Sequence, residues 1–317
     1  MNPGLLYSVT KHELRLLLRS RWLFNFMILF FFLAGLLYLY GLQSVKSDPA
    51  EVTFGLEGVN DNIETMGVNP EYYGLKEIKA EEGPAAGFSQ SAYNRSIAML
   101  INLSLWMIPV ICMILGSSSI IADKENGRLA LYRTYQASSG YYLISKFLAL
   151  VLSLFFVTGI SYGLFGLLFS LAGSSSAAHI YQVFFMVNML LILVFSAASL
   201  LIGALSKTRM QGLSAAIIFW ILMVFVYEFI IFSVIGWVPY AFKQNSLFLF
   251  ILLNPVESVR VWSISKLNSE YVFGPEYLII EKWGANGSLT LALALSISLI
   301  ILITILYSAR LLTKRGV

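Results

Sequence analysis

Six long apolar runs dominate this chain: Trp22 to Leu42, Ile97 to Ile121, Phe147 to Ala172, Tyr181 to Leu205, Leu213 to Ile235 and Leu289 to Leu312. Each is long enough to cross about 30 Å of hydrocarbon as a helix. Inside a bilayer the backbone has no water to bond, so a segment of this kind folds as a helix that satisfies its own N–H and C=O groups. Composition agrees: of 317 residues, 58% are apolar and only 12% charged, about half the charge of a soluble domain. The sequence therefore predicts an all-α membrane protein with six transmembrane helices, a single transmembrane domain over residues 1–317, in the plasma (inner) membrane.

The same composition removes several function classes. One cysteine, Cys112, and two histidines, His12 and His179, leave no disulfide framework and no multi-histidine metal site. His12 and His179 fall at opposite predicted membrane edges and H-E-x-x-H is absent, so no catalytic residue is assigned and the chain is not read as an enzyme. The net charge of +4 resides in short clusters beside apolar runs rather than in a stripe, which argues for topology and against nucleic acid.

Basic residues resist translocation and collect on the cytoplasmic side. Lys11, Arg15, Arg19, Arg21, Lys124, Arg128, Arg133, Lys146, Lys207, Arg209, Arg310, Lys314 and Arg315 all lie in one set of alternating connections, against eight basic residues in the other set. Both termini are expected in the cytoplasm. The first twenty residues interleave Leu5, Leu6, Val9, Leu14 and Leu17 with Lys11, Arg15 and Arg19, the pattern of an amphipathic helix in the cytoplasmic interface. Residues 43–95 form an acidic outer lobe between spans one and two, nine carboxylates against four basic residues. It reads as a solvated surface that can touch a partner, because no metal-ligand spacing is recognisable in it. Leu247 to Leu253 is too short to span and ends at Asn254-Pro255, where the residue before proline leaves helical geometry. It is expected to be re-entrant, one of the outer helices between spans five and six.

Two groups of residues stand out. Glu228 lies inside an apolar run, where an unpaired charge costs about 2.5–3.5 kcal/mol, so it needs a partner or a wet cavity. With Asn254, Pro255 and Arg260 it forms the set of pathway or gate candidates. Met99, Met107 and Met113 do not share one helix face, so they read as packing residues rather than a copper relay. Gly159-x-x-x-Gly163 is a weak candidate for close helix approach.

The connection from Ile121 to Lys146 carries the second group. Glu125, Gly127, Arg128, Leu129, Thr134, Ser139, Leu143 and Lys146 follow a spacing that resembles the signature joining the second and third spans of type-2 ABC exporter permeases. Gly87-Phe88-Ser89 with Leu105 to Ile111, Trp220 to Phe232 with Glu228, and Leu252-Leu253-Asn254-Pro255 with Arg260 extend the likeness over nearly the whole chain. Within that class the likeness is to the NosY-type permeases of the copper-processing system that matures nitrous-oxide reductase. Gln136-Ala137 departs from the pattern where a proline is usual, and the outer lobe is longer than such proteins have.

The resemblance implies a transporter permease with no cofactor of its own, working with two copies of a separate ABC ATPase that binds ATP and Mg. The chain agrees in lacking a G-x-x-x-x-G-K-[ST] phosphate loop. It implies a homodimer, an outer-side assembly factor, and a cargo that is a sulfur or copper species. It also implies that a short helix around Ser138 to Tyr142 docks on the ATPase, with Glu125, Gly127, Arg128, Ser138, Ser139, Gly140, Tyr141, Tyr142 and Lys146 as coupling residues. A generic exporter of a peptide, lipid or drug, and a non-transporting membrane scaffold, remain open alternatives on the residues alone.

Overall fold

The computed structural model describes residues 3–19, 21–47, 84–129, 139–171, 178–267 and 288–314. Residues 48–83, most of the acidic lobe, and Ser138 lie outside the described residues. The described residues contain helices and no strand.

Helix α1 (Pro3–Leu18) is followed by α2 (Arg21–Ser47), and the two axes bend by 64° at the junction. Then come α3 (Pro84–Glu125), α4 (Ser139–Leu171), α5 (Ala178–Leu205) and α6 (Arg209–Ile235). Two shorter helices, α7 (Tyr240–Leu253) and α8 (Pro255–Leu267), precede α9 (Ser288–Lys314). Five of these helices are long and apolar enough to cross a membrane, and six if α1 and α2 together make one bent span.

Helix α3 runs well past its apolar run in both directions. Its 42 residues reach about 63 Å, because Pro84 suits a first helical position and nothing breaks the polar turns that follow. Pro109, inside it, has no N–H to return to Leu105 and crowds that turn. Trp106, in the same turn, gives its carbonyl to Trp220 Nε1 of α6 at 3.0 Å. Phe225 meets both indoles edge-on, at 5.2 and 5.4 Å between ring centres.

The core lies between α3 and α5, with α4 and α2 closing its sides; Ile101, Leu105, Ile108, Met113, Val187, Leu191 and Phe195 are buried there. Glycine makes the approach possible. A side chain on Gly203 would stand 3.0 Å from both the Ser117 carbonyl and Ile120 Cβ, and one on Gly116 would collide with Ser199. Small residues let helix backbones approach closely where lipid supplies no hydrophobic drive for association. Among the described residues the Gly159 and Gly163 pair shows no such approach, since the nearest atom to a Gly159 side chain is a Phe185 ring carbon at 4.0 Å and none lies within 4 Å of one on Gly163. Ser117 and Thr158 in the core bond back along their own helices, to Met113 and Leu154, which spares them an unmet donor in an apolar setting.

Replacing Gly203 by leucine is expected to cost about 1–3 kcal/mol through overpacking, whereas Gly159→Leu leaves stability within about 0.5 kcal/mol. Thermal unfolding of the two variants in one detergent checks the contrast.

Candidate coupling site

The predicted connection begins where α3 stops. Gly127, at φ +69°, takes the left-handed turn that ends the helix, with Asn126 N–H donating to Ala122 O at 3.0 Å and Gly127 N–H to Lys124 O at 3.2 Å. Only glycine adopts this turn without strain. The chain then folds back so that Leu129 enters a small apolar cluster with Ile120, Tyr142, Leu143, Leu200, Ala204 and Leu312. Glu125, Asn126, Gly127 and Arg128 are left exposed on the turn.

Beneath the turn lies a buried ion cluster. The Lys146 ammonium on α4 meets Asp123 Oδ2 of α3 at 2.6 Å, Glu13 Oε2 of α1 at 2.9 Å and Ser119 Oγ of α3 at 3.0 Å. A lysine has three N–H donors, and all three find an acceptor. Tyr142 donates its hydroxyl to the same Asp123 oxygen at 2.9 Å, and Arg128 Nε stands 3.4 Å from the other. Lys146, Asp123 and Glu13 are all nearly inaccessible. Two carboxylates, one ammonium and one guanidinium make the group formally neutral, which is how charges survive burial. It joins three helices at one end of the bundle.

A second lysine fixes the neighbouring helix. Lys124 Nζ donates to the carbonyls of Gly203, Ala204 and Ser206 at 2.9, 2.8 and 2.8 Å. These are terminal carbonyls of α5, which have no partner within the helix and carry the negative end of its dipole. Glu125 in turn pairs with Arg209 at the start of α6 and accepts its backbone N–H at 3.3 Å. Adjacent residues on the turn thus grip α5 and α6, while Asp123 grips α4.

The expected coupling residues within the described residues therefore separate into three groups by exposure. Glu125, Gly127 and Arg128 are on the exposed turn; Gly140 and Tyr141 are half-buried; Tyr142 and Lys146 are interior and hold the turn in place. Ser139 opens α4, so from this residue on the segment is the first turn of a 33-residue helix rather than a separate short one. Glu13, Ser119, Asp123 and Lys124 complete the site and were not singled out by the sequence. Glu13 carried a signal, as the lone carboxylate in a basic, amphipathic segment.

The gate candidates meet around the middle of α6. The helix loosens there into a π turn over Leu222–Val226, a feature often placed at functional positions. Asn254, extended at φ −105° and ψ 116° as a pre-proline residue should be, breaks α7 from α8. Its amide donates to Met223 O of the π turn at 2.7 Å, and its own Oδ1 accepts from Val256 N–H at 3.0 Å. Pro255 takes the first position of α8, where its missing donor costs nothing. Arg260 pairs with Glu257 at 3.0 Å and Glu228 at 3.4 Å, and Tyr227 donates to Phe250 O at 2.8 Å. Glu228 thus has the partner its position demands.

Residues 7–317 match the family described as "ABC-2 family transporter protein". The chain belongs to this family. Its members are permeases, the membrane components of ABC transporters, in keeping with the multi-pass helices here. A "Probable ABC transporter permease protein NosY" from Pseudomonas aeruginosa is 26% identical over 174 residues, 54% of this chain and 63% of that protein. The protein of the same description from Stutzerimonas stutzeri is 25% identical over 174 residues, with the same shares. The matched stretch thus spans less than two-thirds of these relatives' own length.

Removing the ammonium with Lys146→Met is expected to cost about 3–5 kcal/mol, because two buried carboxylates lose their counter-charge. Adding Glu13→Gln and Asp123→Asn to the same variant recovers most of the loss; thermal unfolding of the single and triple variants reads both. At the other cluster, Glu257→Gln, at 5% side-chain exposure, lowers the unfolding temperature more than Glu228→Gln, at 39%.

Proposed function

We propose that this chain is a permease that couples ATP hydrolysis in a separate ATPase subunit to cargo movement across the plasma membrane. One observation carries the reading. The turn from Glu125 to Arg128 is exposed at its tip and tied at its base to α1, α4, α5 and α6 by Asp123, Lys124, Glu125 and Lys146. A push on such a turn reaches four helices through ionic and capping contacts, which is the physical requirement for a coupling element.

In this reading both termini and the turn are cytoplasmic, and two ATPase subunits that bind ATP and Mg engage two copies of the permease. Glu125, Gly127, Arg128, Gly140 and Tyr141 lie at or near the ATPase surface, together with Ser138 and Ser139. Tyr142 and Lys146 transmit its movement. Helices α7 and α8, of 14 and 13 residues, are each too short to cross and dip into the outer leaflet. Asn254, Pro255 and Arg260 shape an outer gate with Glu228, since irregular backbone at membrane depth is stable where protein satisfies it.

The likeness to proteins described as NosY supports a sulfur or copper species delivered to an outer-side assembly factor for nitrous-oxide reductase maturation as the cargo. Export of a peptide, lipid or drug is the second reading, favoured by the departures from the family pattern at Gln136-Ala137 and in the long acidic lobe.

Affinity purification from the native host with mass spectrometry tests the class. An ABC ATPase recovered in roughly equal amount supports it, and its absence returns the chain to the scaffold reading. With that ATPase in hand, Gly127→Val is expected to lower permease-stimulated ATP hydrolysis about fivefold or more, equivalent to about 1 kcal/mol, and to cost about 1–3 kcal/mol of stability by straining the left-handed turn. Unaltered hydrolysis contradicts the coupling role of the turn.

A further inference from the structure

Residues 1–47 hold one carboxylate, Glu13, against Lys11, Arg15, Arg19, Arg21 and Lys46. The structure turns that carboxylate inward, to Lys146. Lys11, Arg15 and Arg19 stand four residues apart, so they follow one stripe of α1, and Glu13 lies two residues from the first two, on the opposite face. Arg19 continues the last turn, its N–H donating to Arg15 O at 3.1 Å. All four basic residues up to Arg21 are exposed, and the protein-facing side of α1 is taken up against α4. Burying Glu13 thus leaves only basic residues among the exposed formal charges of α1, beside exposed Tyr7, Leu16 and Leu18.

The stripe also has a defined neighbour. After a 64° bend it is followed by α2, which exposes Trp22 at 63% in its first turn and, around the other side, Phe24, Ile28, Phe31 and Phe32. An exposed tryptophan at the start of an apolar helix marks the boundary between headgroups and acyl chains. Tyr7 and Lys11 stand together further along α1, the ammonium 5.8 Å from the ring centre. Guanidinium groups beside such a boundary match phosphodiesters in charge and in bidentate geometry.

We propose that Lys11, Arg15, Arg19 and Arg21 form a binding surface for the headgroups of anionic phospholipids. Because Glu13 on the opposite face of α1 completes the coordination of Lys146, lipid on the outer stripe steadies the ion cluster under the coupling turn. The permease is then sensitive to the anionic lipid content of its membrane, through contacts that belong to this chain alone.

The test is thermal unfolding of the full chain in lipid nanodiscs with and without phosphatidylglycerol, in a phosphatidylcholine background. The anionic lipid is expected to raise the unfolding temperature by roughly 3 °C or more. The gain should vanish at high salt and in the variant K11Q/R15Q/R19Q/R21Q, and persist in K11R/R15K/R19K/R21K. Should the glutamine variant fail to insert, R15Q alone and a salt series on the native chain give the same reading. An equal gain in the glutamine variant, no gain in the native chain, or the same gain from inorganic phosphate in phosphatidylcholine discs overturns the proposal.

Discussion

Lys146 sets the geometry of one end of this bundle. Three helices that approach one another from distant parts of the chain are held by a single ammonium: Glu13 is 133 residues away in sequence, Ser119 is 27. Burial makes the arrangement strict, since each ion is too costly to leave unpaired and too enclosed to be replaced by water. The glycine turn beyond α3, the capping of α5 by Lys124 and the first turn of α4 all take their positions from it. A segment that would otherwise be a surface loop becomes a rigid attachment between the exposed tip and the helices.

The two polar groups divide the work of the fold. Near one end, Lys146 and Lys124 make contacts that are strong and interior. Towards the other, Arg260 is shared between buried Glu257 and half-exposed Glu228, and the π turn of α6 gives a carbonyl to Asn254. The second group joins α6 to two short helices, of which α8 reaches the core through Val256 and Val259, and α6 itself is largely exposed. An element with few buried contacts and an irregular turn moves more readily than the α3 and α5 pair with its glycine contacts.

The spans were legible because hydrophobic run length maps directly onto membrane thickness, and the break at Asn254-Pro255 because proline restricts the residue before it. Glu125, Gly127 and Arg128 were singled out by their resemblance to a permease signature, and the structure leaves all three exposed on one turn. What the sequence withheld is long-range. Nothing local pairs Glu13 with Lys146, and no helical pattern distinguishes Gly203, which touches Ser117, from Gly163, where a side chain would meet no described atom within 4 Å. The π turn left no pattern either, because Leu222–Val226 is as apolar as a regular helix there would be. The sequence also suggested a separate short helix near Tyr142, where α4 runs on without interruption from Ser139.

The proposed coupling requires α1, the end of α3 and the start of α4 to move as one unit when a partner ATPase acts on the turn. Pulsed electron paramagnetic resonance measures this directly, with spin labels at exposed Ser8 and Asn126 in a Cys112→Ser background. For one rigid unit the Ser8 to Asn126 distance is the same in the nucleotide-free and ATP-bound complex, while the distance from Asn126 to a label on exposed Leu295 of α9 changes. A change between Ser8 and Asn126 on ATP binding would contradict it.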